Sequence, residues 1–129
     1  MDRDTYDKGH QIRTRVLGEA YVRNAAAGDD FTQPLQDLVT EYCWGAVWGR
    51  PGLEPKTRSM LNLAMLAALN RPHELRTHIR GALNNGVTRD EIREVLLQVA
   101  VYAGVPAAVD SFRIAREVLA ECDDHPDAR

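Results

Sequence analysis

The densest run of side chains able to do chemistry is Arg71-Pro72-His73-Glu74-Leu75-Arg76-Thr77-His78. Glu74 and His78 stand four apart, so on a helix they share one face and can hydrogen-bond. A carboxylate beside an imidazole fixes its tautomer and raises its pKa, which suits a proton donor working near neutral pH. The same spacing also describes an ordinary surface ion pair on an amphipathic helix. His73 and His78 are five apart and point away from each other, and no cysteine pair or acidic cluster completes a ligand set, so no metal is expected.

A second unusual stretch is Glu41-Tyr42-Cys43-Trp44-Gly45-Ala46-Val47-Trp48-Gly49-Arg50-Pro51-Gly52-Leu53, which holds both tryptophans and leads to Lys56 and Arg58. Trp44 and Trp48 share a helix face. Two indoles with cationic groups just beyond them can wall a pocket for a flat anion, and they can equally be core. Glu41, one turn ahead of the tryptophans, is a second candidate acid whose pKa would rise on burial. Cys43 has no cysteine or histidine near it in sequence and reads as a buried small residue rather than a nucleophile. Gly45, Gly49 and Gly52 lack the spacing and strand context of a phosphate-binding loop.

The elements that must position these groups are helical throughout: the breakers fall at helix-length intervals, and about six helices are expected. They cover residues 5–27, closed by Gly28-Asp29-Asp30; 34–48, with Thr32 as N-cap and Pro34 in the first turn; 55–69; 72 to Asn85-Gly86; 88–103; and 106–121. Asn85-Gly86 reads as a left-handed C-cap, and Thr88-Arg89-Asp90-Glu91 as a capping box. The third helix is apolar enough to predict burial on most sides. On the fifth, Ile92, Val95, Leu96, Val99, Ala100 and Ala103 form one stripe, while Leu97, Val101 and Tyr102 make a second. One small domain can hardly cover both, which predicts self-association. Residues 123–129 are expected to fray.

A chain of 129 residues is the size of one domain, and 44% apolar with 27% charged residues is ordinary globular composition. Sixteen basic and nineteen acidic residues give a net charge of -3, with the arginines spread along the chain, which argues against nucleic acid as a partner. Two cysteines, no leader-like start and apolar runs short of the ~20 residues of a membrane span predict a soluble, cytoplasmic protein with no membrane partner.

The string Trp44-Gly-Ala-Val-Trp48-Gly-Arg50-Pro51-Gly52-Leu53, then Lys56-Thr-Arg58-Ser59 and Ala68-Leu-Asn-Arg71, resembles the carboxymuconolactone decarboxylase family. The likeness continues through Glu74-Leu75-x-x-His78, Gly81-Ala-Leu-Asn-Asn-Gly86, Glu91-Ile92-x-Glu94-Val95-Leu-Leu-Gln98 and Tyr102-Ala-Gly104-Val-Pro106-Ala-Ala108, in order. Arg15-Val16-Leu17-Gly18 and Asp30-Phe31-Thr32 extend it over nearly the whole chain. The wider superfamily includes alkylhydroperoxidase-D-like proteins with a Cys-x-x-Cys pair four residues before a histidine. Arg71 and Glu74 occupy those two places here, so the peroxide-reducing chemistry has no redox centre.

The resemblance implies an alkylhydroperoxidase-D-like all-α bundle, a homohexamer, and no cofactor. It implies as substrate γ-carboxymuconolactone, decarboxylated to 3-oxoadipate enol-lactone in the protocatechuate branch of the β-ketoadipate pathway. In that reading His78, Glu74 and Glu41 are the catalytic candidates, Arg50, Lys56, Arg58 and Arg71 the carboxylate ligands, and Trp44 and Trp48 the groups that exclude water. The rivals are a related enzyme on another lactone or oxo acid, and a non-catalytic helical oligomer that binds a small anion.

Overall fold

Glycines and caps set where each helix begins and ends in the computed structural model, which describes residues 1–26 and 28–124. Every regular element among the described residues is helical, as expected for an all-α chain. The chain forms two compact units, Met1–Glu54 and Pro55–Arg129.

In the first unit, α1 (Arg3–Leu17) starts at Asp2, whose carboxylate accepts from the backbone N–H groups of Asp4 (3.0 Å) and Thr5 (3.4 Å). Those backbone donors hold the Asp2 carboxyl below its usual range. The single helix expected over 5–27 is in fact two, because Gly18 takes φ +94° and α2 (Glu19–Ala26) restarts beyond it. The next helix starts with α3 (Gln33–Leu38) and continues without a break into π-helical turns over Val39–Val47. Thr32 occupies the N-cap position, but its hydroxyl donates back to the Asp29 carbonyl at 3.2 Å instead of accepting from the helix. The wider turns end where the Trp48 N–H reaches the Cys43 carbonyl at 2.9 Å, five residues back.

This π-helical stretch packs on α1 at a glycine crossing. A Cβ on Gly9 would lie 1.9 Å from the Thr40 carbonyl oxygen, and one on Gly45 would lie 2.2 Å from that of Thr5. Neither position accepts any side chain without moving the helices apart.

In the second unit, α4 (Pro55–Ala68) turns into α5 (Pro72–Asn84) through Asn70 at φ +59°. The α5 C-terminus closes with Gly86 at φ +88° and with the Val87 N–H on the Ala82 carbonyl at 2.9 Å, the expected left-handed cap. The capping box ahead of α6 (Arg89–Ala103) is formed: Glu91 N–H donates to the Thr88 hydroxyl oxygen at 3.1 Å, and Thr88 N–H to the Glu91 carboxylate at 2.9 Å. Gly104, at φ +117°, separates α6 from α7 (Val105–Asp124). Asp123 is therefore helical, against the expectation that fraying begins there; residues 125–129 lie outside the described residues.

Leu63, Leu75, Ile79, Ile92, Leu96 and Val118 are almost fully buried and form the centre of this four-helix core. Burying each such side chain stabilises by about 1.5–3 kcal/mol. The predicted burial of α4 on most sides does not hold within one chain. Ser59, Leu63 and Ala67 are buried, while Leu61, Met65 and Leu69 are exposed, because only one stripe of α4 meets its neighbours. On α6 the two predicted faces separate: Ile92, Leu96 and Val99 are buried, and Leu97, Val101 and Tyr102 are bare.

Candidate active site

The first unit carries Glu41, Trp44, Trp48 and Arg50 on or just after the π-helical turns. Trp44 is buried (4% exposed) and Trp48 half-buried, and their rings stack with centroids 4.7 Å apart at an interplanar angle of 30°. They thus serve the packing of this unit, as the core reading expects, and also form a flat aromatic wall. Glu41 is half-buried and accepts from the Asp2 backbone N–H at 3.4 Å. Arg50 is exposed, with its own N–H on the Val47 carbonyl at 3.1 Å. Cys43 corrects the sequence expectation: it is exposed, because the segment turns Thr40, Trp44 and Gly45 inward and leaves Tyr42 and Cys43 outside.

Arg13 was not foreseen. It is 7% exposed, donates from Nη1 to the Thr40 hydroxyl at 3.3 Å, and leaves Nε without a hydrogen-bond partner. Burial pushes its pKa below the ordinary guanidinium value, while Tyr21, Tyr6 and Cys43 act to raise it. The signal available in sequence was its spacing: Gly9, Arg13 and Val16 fall on one face of α1, and all three are buried.

In the second unit, the structure brings together α4 and α5 at Asn62 and His78, whose Nδ2 and Nδ1 atoms are 3.4 Å apart. When the amide N–H donates, Nδ1 is the acceptor and the neutral ring carries its proton on Nε2. Both residues are half-buried. Arg58, also half-buried, precedes Asn62 by one helical turn on the same face of α4. Glu74 is exposed and sits one turn before His78, as its spacing required. Asn62 is the partner of His78 that sequence reasoning passed over, although it stands as a lone amide inside the apolar run of α4.

Lys56 and Arg71, two of the predicted cations, have partners that belong to the fold. Lys56 Nζ lies 3.0 Å from the carboxylate of Glu91, the capping-box residue, and Arg71 Nη1 donates to the carbonyls of Leu69 (3.1 Å) and Asn70 (3.4 Å), bracing the α4–α5 turn. Thr88 N–H and Lys56 together hold the Glu91 carboxyl below its usual range. Among the described residues, no group of histidines, cysteines and carboxylates is placed to hold a metal ion.

An open groove of about 710 Å³ lies elsewhere in this unit, between α6 and α7, and contains none of the predicted residues. Two of its arginines already have carboxylates on their own helices, Arg93 with Asp90 at 3.3 Å and Arg113 with Asp110 at 2.7 Å. Size alone does not make it the reaction site, because the acid–base groups are on α4 and α5.

An all-α chain whose α4 and α5 set an amide against an imidazole, with Arg71 and Glu74 rather than cysteines ahead of that imidazole, has the groups of an acid–base class of protein rather than a redox one. The chain belongs to the Carboxymuconolactone decarboxylase family, which it matches over residues 33–117. It is 42% identical over 127 residues to the 4-carboxymuconolactone decarboxylase of Acinetobacter baylyi, covering 98% of this chain and 95% of that protein. It is also 42% identical over 125 residues to the nitrosuccinic acid decarboxylase of Metarhizium robertsii, covering 96% of this chain and 87% of that protein. An uncharacterized 15.0 kDa protein of Paracoccus denitrificans is 37% identical over 89 residues, 67% of this chain and 66% of its own.

Proposed function

We propose that this protein is a carboxy-lyase that converts γ-carboxymuconolactone to 3-oxoadipate enol-lactone without a cofactor, as one catalytic domain spanning the chain. The observation that carries this reading is the 42% identity to a 4-carboxymuconolactone decarboxylase across 98% of the chain. Nitrosuccinic acid as the substrate is the second reading, favoured by an equal identity to the Metarhizium protein.

The lactone supplies its own electron sink. When the carbon–carboxylate bond breaks, the electron pair spreads through the ring double bond to the lactone carbonyl as a dienolate, the role that a pyridoxal or thiamine cofactor fills elsewhere. What the protein must supply is binding of the acetate arm, stabilisation of the forming oxyanion and a proton for the ring carbon.

In this reading His78 gives the proton or stabilises the dienolate, with Asn62 orienting its ring and Glu74 adding negative charge one turn away. Arg58, Lys56 and Arg71 are the candidates to bind a substrate carboxylate, and Arg58 stands one turn from Asn62 on α4. Arg50 and Glu41 remain candidates for binding and acid catalysis, and Trp44 and Trp48 for excluding water. The bare apolar faces of α4 and α6 support a homo-oligomer, and the family resemblance a homohexamer in the cytoplasm. No helix among the described residues is long and apolar enough to cross a membrane.

The test is loss of γ-carboxymuconolactone and release of carbon dioxide by purified protein in a chelator-containing buffer with no added cofactor. Turnover supports the reading; folded, oligomeric protein without turnover overturns it.

A further inference from the structure

The two named relatives act on molecules that look unalike, yet this chain is equally similar to both, at 42% identity over nearly its whole length. Their formulas share one fragment. In γ-carboxymuconolactone a single carbon carries the departing carboxylate, a CH2–COO⁻ arm and the unsaturated lactone. In 2-nitrosuccinate a single carbon carries the departing carboxylate, a CH2–COO⁻ arm and a nitro group. Each is a succinate whose α-carbon bears an electron acceptor.

On the strength of the decarboxylase reading above, we infer that this chain recognises that fragment rather than the lactone ring, and that it decarboxylates 2-nitrosuccinate as well as the lactone. The groups that α4 and α5 bring together fit what the two molecules share. The Arg58 guanidinium suits a carboxylate, which both have twice. The Asn62–His78 pair, 3.4 Å apart, presents one imidazole nitrogen to an acceptor oxygen or to the carbon that receives the proton. Neither demand involves a ring.

The nitro reaction balances without a co-reactant. The bond from the α-carbon to the carboxylate breaks, carbon dioxide leaves, and the electron pair forms the carbon–nitrogen double bond of a nitronate whose charge rests on the nitro oxygens. One proton added to the same carbon then gives 3-nitropropanoate. Here the two substrates part. A nitronate is a stable anion that protonates slowly on carbon, so loss of carbon dioxide needs little help from a proton donor. The furanolate-like dienolate is a much more basic anion, and its formation leans on that help.

The experiment follows carbon dioxide release above the spontaneous rate by the full-length protein, with γ-carboxymuconolactone, 2-nitrosuccinate, nitroacetate (acceptor without the arm) and methylsuccinate (arm without the acceptor). The expected result is turnover of the first two only. Arg58→Ala should raise KM for both by a similar factor, with partial recovery in Arg58→Lys. His78→Ala should cut lactone turnover by about 100-fold or more, the scale of a lost general acid. It should slow carbon dioxide release from 2-nitrosuccinate less than tenfold, with nitronate accumulating in the ultraviolet spectrum. Circular dichroism checks that each variant folds. Turnover of the lactone without 2-nitrosuccinate would overturn the shared-fragment inference and leave the lactone reading standing. Turnover of 2-nitrosuccinate alone would overturn both the lactone reading and the shared fragment. Equal turnover of nitroacetate would show that the arm is not recognised and would also defeat the inference.

Discussion

At the scale of single residues, the chemistry turns on partners that lie far away in sequence. His78 was visible as a functional type, and its spacing from Glu74 suggested the carboxylate as its orienting group. The ring nitrogen Nδ1 meets Asn62, sixteen residues back, and no helical spacing rule reaches that far. Asn62→Ala is expected to reduce kcat with the lactone, with a smaller change in KM. Glu74→Gln, at an exposed position, should change both much less. Steady-state rates of the two variants check this. The cations tell the same story. Lys56, Arg58 and Arg71 are interchangeable in sequence, and only the fold gives Lys56 to Glu91 and Arg71 to the backbone of a turn. Arg13 was illegible for the opposite reason: a buried guanidinium violates the expectation that charge stays outside, so its helical spacing with Gly9 and Val16 counted for nothing.

At the scale of elements, caps and breakers were legible because their signals are local. The Thr88–Glu91 box and the Gly86 turn fall where their residues placed them, whereas the π-helical turns of Val39–Val47 left no mark in the apolar pattern. That stretch meets α1 through Gly9 and Gly45, a contact between residues far apart in sequence. Gly45→Ala should therefore destabilise the protein by about 1–3 kcal/mol through overpacking, read as a lowered chemical-denaturation midpoint. A change of that size from one methyl group would be out of proportion for a loosely packed helix. Between α5 and α7, Arg76 pairs with Glu117 and, at 3.1 Å, with Glu121, and Arg113 reaches Glu117 at 3.1 Å. Arg76, foremost, holds the Glu117 carboxyl below its usual value of 4.5, and Thr88 with Lys56 does the same for Glu91. A carboxylate whose folded pKa is depressed contributes stability that is complete above the unfolded value and is lost as pH falls through the folded one. The melting temperature should hold from pH 7 to about 5.5 and drop below pH 4.5, and Glu117→Gln should flatten that drop. Since these groups are exposed, each contribution is small and should shrink further in high salt.

At the scale of the whole molecule, the single chain leaves uncovered what its sequence makes apolar. Val101 and Tyr102 are 77% and 81% exposed on α6, and Leu61 and Met65 lie bare on α4, with Leu69 just beyond its end. The surplus was legible because a helix with two apolar faces cannot satisfy both inside one small core. Tyr102→Glu should convert the assembly to smaller species by light scattering, leaving helical content unchanged; an unaltered mass would remove this face from the interface. The tryptophan stack has a different consequence, an optical one. Both indoles of the chain lie in Met1–Glu54, while Pro55–Arg129 holds a single tyrosine, Tyr102, and no tryptophan. The protein is therefore labelled by nature on one side: its emission reports the first unit alone, and its ellipticity reports the helices of both. Heating one sample while recording the two signals turns the distance between their midpoints into a direct reading of how strongly the units melt as one.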